Sequence, residues 1–204
     1  MAPSLKVTYF NFAGRAEPIR LALTIGGIDF EDQRLSFPEF GAMKPSLPFG
    51  QLPVMEIDGE QIAQGPALLR YAGKLAGMEP QDPLAALRVD EMVLAMHDVV
   101  ALFTPSILEP DMEKKLEMRI ALVEETLPKW FGMIERRIAG GGKEYCAGDS
   151  LSVADLSLYN FVKWMRTGTL DGVPATIMDA YPATCAVADR VAEHPKVKEW
   201  NETH

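Results

Sequence analysis

The sequence predicts two domains, a small mixed α/β domain followed by a domain made only of helices. Within residues 5–77, short strand-like runs alternate with helical patterns. The stretch GMEPQDP at residues 77–83 has the composition of a linker, and every segment after it has helical periodicity. The chain has 204 residues, which is enough for two modest domains. We therefore expect one domain over residues 1–78 and a second over residues 84–204.

The predicted α/β domain begins with a strand and a helix. Residues 5–10, LKVTYF, alternate in polarity as a half-buried strand does. Apolar residues over about 15–24 recur with helical spacing. Pro18 fits this helix only because it falls in the first turn, where the missing backbone N–H costs nothing. The Gly26-Gly27 pair then ends the helix.

A second strand, a hairpin and another helix complete the predicted domain. Residues 30–35 have a strand pattern, and the stretch 38–50, rich in proline and glycine, has room for one helical turn. An Asp-Gly turn between two apolar runs at residues 52–64 is the strongest short signal for a β-hairpin. Residues 66–77 predict a helix that begins at Pro66. The order β-α-β-(α)-β-β-α is typical of a thioredoxin-like arrangement.

Helical periodicity after the linker predicts an all-α second domain. The segments lie at about 84–108, 114–138 and 152–166, with shorter pieces near 175–193. The third segment begins with SVAD, a capping box in which a serine and an aspartate bond each other's backbone at a helix start. We expect this motif to serve folding.

Composition and charge exclude several classes of function. The net charge of −9 disfavours nucleic-acid binding. No run of about 18 apolar residues indicates a membrane span, and the start MAPSLKVTYF lacks a secretory pattern. Cys146 and Cys185 suit two free thiols in a reducing compartment, although a disulfide between them stays open. We therefore expect a cytoplasmic protein with no membrane or nucleic-acid partner.

The sequence lacks the usual protein nucleophiles and metal ligands. It contains no CxxC motif and no cysteine before Cys146, so dithiol exchange in a thioredoxin-like domain is excluded. The histidines His97, His194 and His204 have no metal-ligand spacing, so we expect no metal. GxGxxG, P-loop and GxSxG motifs are also absent from the sequence. If the protein is an enzyme, its nucleophile arrives with the substrate.

A family resemblance is carried by four segments in order: YFNFAGRAEPIRLAL, LPFGQLPVMEIDG, AQGPALLRY and DSLSVADL. Together they resemble the cytosolic glutathione transferases, and the first two are most similar to the sigma class. The resemblance runs from about Lys6 to about Trp200. It implies a glutathione-binding thioredoxin-like domain, a helical domain that contributes the electrophile site, and a homodimer. The implied reaction is conjugation of the detoxification type, in which glutathione attacks a small hydrophobic electrophile in the cleft between the domains.

Tyr9 matches the catalytic tyrosine of this family. A cysteine thiol has a pKa of about 8.5, so only a small fraction of glutathione is thiolate at neutral pH. A phenol stays protonated there and can donate a hydrogen bond to sulfur, which lowers the thiol pKa by about one to two units. The start of the following helix adds a favourable potential for an anion. The alternative for Tyr9 is an ordinary strand tyrosine.

The resemblance assigns further residues to glutathione. Arg15 acts on the thiolate or organises the turn after the strand, unless it is a solvated helix-start residue. A cis peptide at Pro53 exposes the backbone of Leu52 for β-like pairing with the cysteinyl part, with a trans loop proline as the alternative. The complete implied set is Tyr9, Phe10, Arg15, Phe40, Lys44, Gln51, Leu52, Pro53, Gln64, Gly65 and Asp98.

Two of these positions depart from the family pattern. Gly65 stands where most relatives have a serine that binds the γ-glutamyl carboxylate, although the helix start at Gln64 and Gly65 keeps its backbone N–H donors. Phe40 stands where sigma enzymes often carry a tryptophan that binds the glycyl carboxylate, beside which Lys44 is expected. We therefore expect weaker glutathione binding rather than none. Asp98 is expected to reach the glutathione of the partner in the dimer, or else is a solvated helix carboxylate.

The implied electrophile pocket is apolar, as is usual for small hydrophobic ligands. Its candidate walls are Phe12, Gly14, Val100, Phe103 and Pro105. Core packing is the alternative for Val100 and Phe103. Prostaglandin D isomerases of this class often have a tryptophan near Pro105, and its absence argues against that activity. A ligand carrier or crystallin-like protein without turnover and a glutathione-dependent isomerase stay open as alternative functions.

Overall fold

The structure is a computed structural model that describes residues 3–204. The chain divides into two compact units, residues 3–79 with His194–His204, and Pro80–Glu193. The first unit holds all four strands of the described chain, and the second is entirely helical. The predicted order of a thioredoxin-like α/β domain followed by a helical domain is confirmed.

The first unit is built on a four-stranded sheet in the order β2-β1-β3-β4. Its strands are β1 (Leu5–Phe10), β2 (Glu31–Leu35), β3 (Val54–Ile57) and β4 (Glu60–Ala63). The central strand β1 runs parallel to β2 and antiparallel to β3, and β3 and β4 form the hairpin predicted from the Asp-Gly turn. The end of β1 therefore lies in the middle of the sheet, where a side chain is easily buried.

Helices of the first unit connect and cover these strands. They are α1 (Glu17–Ile25), α2 (Phe37–Met43) and α3 (Gly65–Leu75), with 3₁₀ turns at Gly14–Ala16 and Lys44–Ser46. Pro18 lies in the first turn of α1, as the sequence required. The apolar face of α1 is completely buried, since Ile19, Leu21 and Leu23 have no exposed surface.

The second unit contains the remaining helices except the last. They are α4 (Pro83–Leu102), α5 (Thr104–Leu108), α6 (Met112–Ala121), α7 (Leu127–Gly141), α8 (Val153–Arg166) and α9 (Pro182–Ala192). A π-helical turn joins α6 to α7, and α8 packs against both α4 and α9. The predicted capping box starts α8: Asp155 accepts hydrogen bonds from the Ser152 backbone N–H at 2.7 Å and from its hydroxyl at 2.8 Å. Its other carboxylate oxygen accepts from the Cys146 backbone N–H at 2.7 Å.

One helical stretch, Pro83–Leu108, is long and apolar enough to cross a membrane by length and composition, with a mean hydropathy of 1.4. The sequence analysis did not identify it, because acidic residues such as Glu91 and Asp98 interrupt its apolar run. Core helices of soluble proteins pass the same test. Here α4 buries Val89 and Met96 while packing against α8.

The last helix, α10 (Pro195–Thr203), groups with the first unit. Its Trp200 indole nitrogen donates a hydrogen bond to Glu17 of α1 at 2.8 Å, and its ring lies 6.4 Å from that of Phe30. The sequence pattern did not single out this helix, and the whole of 84–204 was expected to form the second domain. These two contacts explain why the structure groups residues 194–204 differently.

Candidate active site

Tyr9 lies near the end of the central strand β1, opposite Arg34 of β2. Its side chain is 6% exposed, and the rings of Phe10 and Phe12 meet it edge to face at 5.3 and 5.6 Å. This aromatic packing fixes the phenol ring, because edge-to-face contacts are directional as well as apolar.

The backbone turn after β1 passes directly over the Tyr9 phenol. Gly14 has φ +48°, and a Cβ built there would lie 2.5 Å from Cε1 of Tyr9 and 2.6 Å from its hydroxyl oxygen. No side chain fits at this distance, so glycine is required for both its conformation and its size. Gly14 was expected to line an electrophile pocket, and the side chains nearest to it in the structure are those of Tyr9 and Phe12.

The Tyr9 hydroxyl accepts a hydrogen bond from the backbone N–H of Arg15. Burial raises the pKa of Tyr9 above its ordinary value, opposed by this bond and by the positive charges of Arg15 and Arg20. The phenol therefore keeps its proton at neutral pH. Because its oxygen already accepts from the amide, the phenolic hydrogen remains to be donated to another partner. Arg15 was expected to act on the thiolate or to organise the turn after the strand, and the bond from its amide to the phenol was not anticipated.

Arg20 of α1 is a second residue that sequence reasoning missed. It is fully buried in a helix whose buried residues are otherwise apolar except for Glu17, and its guanidinium group lies 5.9 Å from the centre of the Tyr9 ring. It donates to the carboxylates of Glu17 and Asp32, at 3.3 and 2.9 Å. The signal that could have found it is an arginine at a position whose helical spacing predicts burial.

An aromatic group continues from Tyr9 toward the loop before β3. Phe10 stacks on Phe12 with ring centres 5.5 Å apart and meets Phe40 edge to face at 5.2 Å. The ammonium of Lys44 lies 5.8 Å from the centre of the Phe40 ring. The predicted glutathione-binding residues Phe10, Phe40 and Lys44 are therefore in contact one after another, and Phe10 in turn meets the Tyr9 ring. Phe37, which the sequence analysis did not consider, lies 4.8 Å from Phe10 and is 70% exposed.

The loop before β3 meets the start of α3. The Leu52–Pro53 peptide bond is cis, as the sequence analysis expected. Leu52 packs together with Phe40 against a small apolar cluster, and a Cβ built on Gly65 would lie 3.7 Å from Cγ of Pro53. Four of the predicted glutathione-binding residues are thus grouped around this loop: Phe40, Leu52, Pro53 and Gly65.

The start of α3 has features that favour an anion. Gln64 holds a left-handed backbone, φ 79°, which is uncommon for a residue with a side chain. Such strain is often found where a ligand is bound. No side chain caps α3, so the Gly65 N–H keeps its donor capacity for a ligand, whereas Pro66, the next residue, has no N–H.

The other predicted residues have different surroundings. Gln51 and Lys44 are exposed on the first unit, and Asp98 is exposed on α4 of the second. Phe103 is fully buried, with its ring 5.1 Å from that of Trp164, so the core-packing alternative describes it. The physical reason is that Phe103 follows α4 on the side that packs against α8. Within residues 3–204, no three histidine, cysteine or acidic side chains come close enough to hold a metal ion.

Comparisons with known proteins agree on one family. The model for the N-terminal domain of glutathione S-transferases matches residues 5–74, and that for the C-terminal domain matches residues 97–204. Glutathione S-transferase 1 of Ascaris suum is 32% identical, covering 97% of this chain and 95% of that protein. Hematopoietic prostaglandin D synthase of Gallus gallus is 31% identical, with coverage of 97% and 95%.

Solved structures give the same result. The structure of prostaglandin synthase D of Nilaparvata lugens superposes with a TM-score of 0.89 at 34% identity, covering 99% of this chain and 98% of that one. The structure of the glutathione S-transferase from Ascaris lumbricoides superposes with a TM-score of 0.82 at 30% identity, covering 98% and 97%. The chain therefore belongs to the glutathione S-transferase family and is a transferase enzyme.

Proposed function

We propose that the chain is a sigma-like glutathione transferase in which the Tyr9 hydroxyl stabilises the glutathione thiolate. The observation that carries this proposal is the surroundings of the phenol. Its oxygen accepts from the Arg15 amide, and Gly14 leaves the space beside that oxygen without a side chain. The phenol is therefore held in place with one hydrogen left to donate to sulfur.

The magnitude of the effect follows from one charge-assisted hydrogen bond. A bond from a phenol to a thiolate contributes about 1.5–3 kcal/mol, which corresponds to a fall of about one to two units in the pKa of the thiol. A thiol with an ordinary pKa of about 8.5 then has a pKa of about 6.5–7.5, so that roughly a quarter to three quarters of it is thiolate at pH 7. Arg15 adds a nearby positive charge, which opposes the rise that burial causes in the pKa of Tyr9 and which would also favour a thiolate.

The rest of glutathione has partners of suitable chemistry on the first unit, which we propose as the glutathione-binding domain over residues 1–78. The γ-glutamyl carboxylate binds the uncapped start of α3 at Gln64 and Gly65. The cysteinyl backbone pairs with that of Leu52 beside Pro53, and Gln51 contacts the same main chain. Lys44 attracts the glycyl carboxylate, whereas the ring of Phe40 offers it no hydrogen bond.

Asp98 extends the proposed site to a homodimer. Its carboxylate is exposed on α4 and suits the glutathione amino group of a partner subunit. We propose Phe12 and Gly14 of the first unit, and Val100 and Pro105 of the helical domain over residues 84–204, as electrophile-binding residues. The substrates are small hydrophobic electrophiles such as aryl halides, isothiocyanates and unsaturated carbonyls. The reaction is detoxification-type conjugation in the cytoplasm.

The decisive experiment compares wild type with Tyr9→Phe in conjugation of an aryl halide with glutathione. The variant keeps the ring packing and removes only the hydroxyl. At pH values below the thiol pKa, we expect kcat/KM of the variant to be about 10- to 100-fold lower than that of wild type. This range is the equivalent of one to two pKa units. Equal turnover of the two proteins would defeat the proposed mechanism.

A glutathione-dependent isomerase is the second candidate, because two of the similar proteins named above are prostaglandin D synthases. Product mass distinguishes the two reactions. A conjugate contains the mass of glutathione, whereas an isomerase product has the mass of its substrate. Incubation with a prostaglandin endoperoxide that yields only an adduct, or no enzymatic product, would exclude the second candidate.

A further inference from the structure

Arg20 is a fully buried arginine, and its burial requires an explanation. Its side chain has no exposed surface, and its neighbours Ile19, Leu21 and Leu23 in α1 are apolar and fully buried. Burying a guanidinium group is unfavourable unless charges and hydrogen bonds compensate it. The groups that accept hydrogen bonds from Arg20 therefore indicate its structural role.

Carboxylates on two elements fix the orientation of the Arg20 guanidinium group. Glu17 accepts from Nη1 at 3.3 Å and Asp32 accepts from Nε at 2.9 Å. The second oxygen of Asp32 accepts from Arg34 at 2.8 Å, and the second oxygen of Glu17 accepts from the Trp200 indole at 2.8 Å. Two cations and two anions balance within this network.

The remaining donors of Arg20 go to the backbone of the turn that follows β1. Nη1 donates to the carbonyls of Phe12 and Ala13 at 3.0 and 3.4 Å, and Nη2 donates to that of Phe10 at 3.4 Å. Three of the four carbonyls between residues 10 and 13 are thus bonded to one rigid group. The next two residues are Gly14, which lies against the Tyr9 ring, and Arg15, whose amide bonds the phenol.

We propose that Arg20 is a positioning residue of the thiolate site, which holds the turn at residues 10–13 so that the Arg15 amide meets the Tyr9 hydroxyl. The proposal rests on the function proposed above for Tyr9. Arg20 acts through the backbone and need not touch substrate. Its role demands the planar fork of an arginine, because a lysine ammonium is a point charge that cannot donate to both carboxylates and to three carbonyls at fixed angles.

The network also makes α10 part of the support for the site. Trp200 holds Glu17, Glu17 holds Arg20, and Arg20 holds the turn. Trp200→Phe keeps an aromatic ring against Phe30 and removes the N–H donor. It therefore tests the far end of the network without creating a cavity around the turn.

The experiment measures the pKa of the thiol of bound glutathione, by ultraviolet titration of the thiolate in the binary complex, and the pH profile of kcat/KM. For Arg20→Lys we expect the thiol pKa to rise by about half a unit to one unit, with about a three- to tenfold fall in kcat/KM at neutral pH. The dissociation constant of glutathione should change less than kcat/KM. Trp200→Phe should shift the thiol pKa in the same direction by a smaller amount.

Arg119→Lys is the matched control, because Arg119 is also a buried arginine but donates to Ser106 and to the Asp171 carbonyl within the second unit. It should lose stability while leaving the thiol pKa at the wild-type value. A folded Arg20→Lys protein with an unshifted thiol pKa would overturn the proposal. If Arg20→Lys does not fold, an unshifted pKa in Trp200→Phe overturns it instead. If Tyr9→Phe has the same kcat/KM as wild type, the proposed function itself is refuted. Failure of the Arg20 proposal and failure of the proposed function are therefore distinguishable.

Discussion

Gly65 gives the sharpest test of how this chain binds glutathione. The residue is the first of α3, at a helix start with no side-chain cap. A Cβ built there meets only Pro53, at 3.7 and 3.9 Å, which is ordinary van der Waals contact, and Gly65 is not among the glycines with a positive φ. Gly65→Ser therefore fits without strain and places a hydroxyl beside the amides proposed to bind the γ-glutamyl carboxylate.

The size of the gain follows from the bond that the hydroxyl adds. A hydrogen bond to a charged acceptor contributes about 1.5–3 kcal/mol, reduced where it replaces an ordered water. This range corresponds to a fall in the glutathione dissociation constant of about 10- to 150-fold. Removing a glycine from α3 adds about 0.4–1 kcal/mol of folding stability, because the unfolded chain loses backbone freedom.

Isothermal titration with glutathione measures the affinity, and Gly65→Ala is the matched control. Alanine supplies the same Cβ and the same backbone effect without a hydroxyl, so it should leave affinity near that of wild type. The dipeptide cysteinylglycine, which lacks the γ-glutamyl carboxylate, should bind wild type and Gly65→Ser equally. If serine and alanine variants bind glutathione with the same affinity, the carboxylate does not lie at the start of α3.

Other predictions test the phenol and the helical unit. Gly14→Ala places a methyl group 2.6 Å from the Tyr9 hydroxyl oxygen, and because small misplacements of catalytic groups have large effects, kcat/KM should fall at least about tenfold. Steady-state kinetics measure this change, and a wild-type kcat/KM would contradict the geometry. Because burial raises the Tyr9 pKa, the pH profile of kcat/KM should rise with thiol ionisation and show no descending limb below about pH 10; a descending limb near pH 8 that is absent from Tyr9→Phe would refute this assignment. Asp155→Ala removes the acceptor for Ser152 and Cys146 and should lower the free energy of unfolding in urea by about 2–4 kcal/mol. The control Asp149→Ala, at an exposed position, should keep a free energy of unfolding near that of wild type, and an equal loss in both variants would contradict a folding role for the capping box.

The elements that the sequence predicted correctly are those whose signal is local. The Asp-Gly pair specifies a hairpin, and Asp58 and Gly59 hold the positive φ values that such a turn requires. The capping box before α8 is likewise local, because its partners are three residues apart. Both structures form for reasons contained within a few neighbouring residues.

The packing of helix α10 and the burial of Phe103 were harder to predict from the sequence, because both depend on residues that are distant along the chain. Only Val197 and Trp200 of α10 are buried, so its apolar pattern is too sparse to predict a packed helix. Phe103 is an apolar residue with two plausible destinations, a pocket wall or a core, and spacing along α4 does not separate them. Its ring contact with Trp164 exists only once α8 has packed.

Arg20 shows why residue type alone misleads at a site. An arginine is usually solvated, and although Arg20 lies within the segment YFNFAGRAEPIRLAL, only Arg15 of that segment was expected to act at the site. Arg20 follows Ile19, precedes Leu21 and lies three residues before Leu23, and all three are fully buried, so the charge had to be paired inside the protein. One of its partners, Glu17, is fixed by Trp200, 183 positions along the chain, which no local motif could reveal. The geometry of the phenol is therefore set by an ion network that closes only when both ends of the chain have folded together.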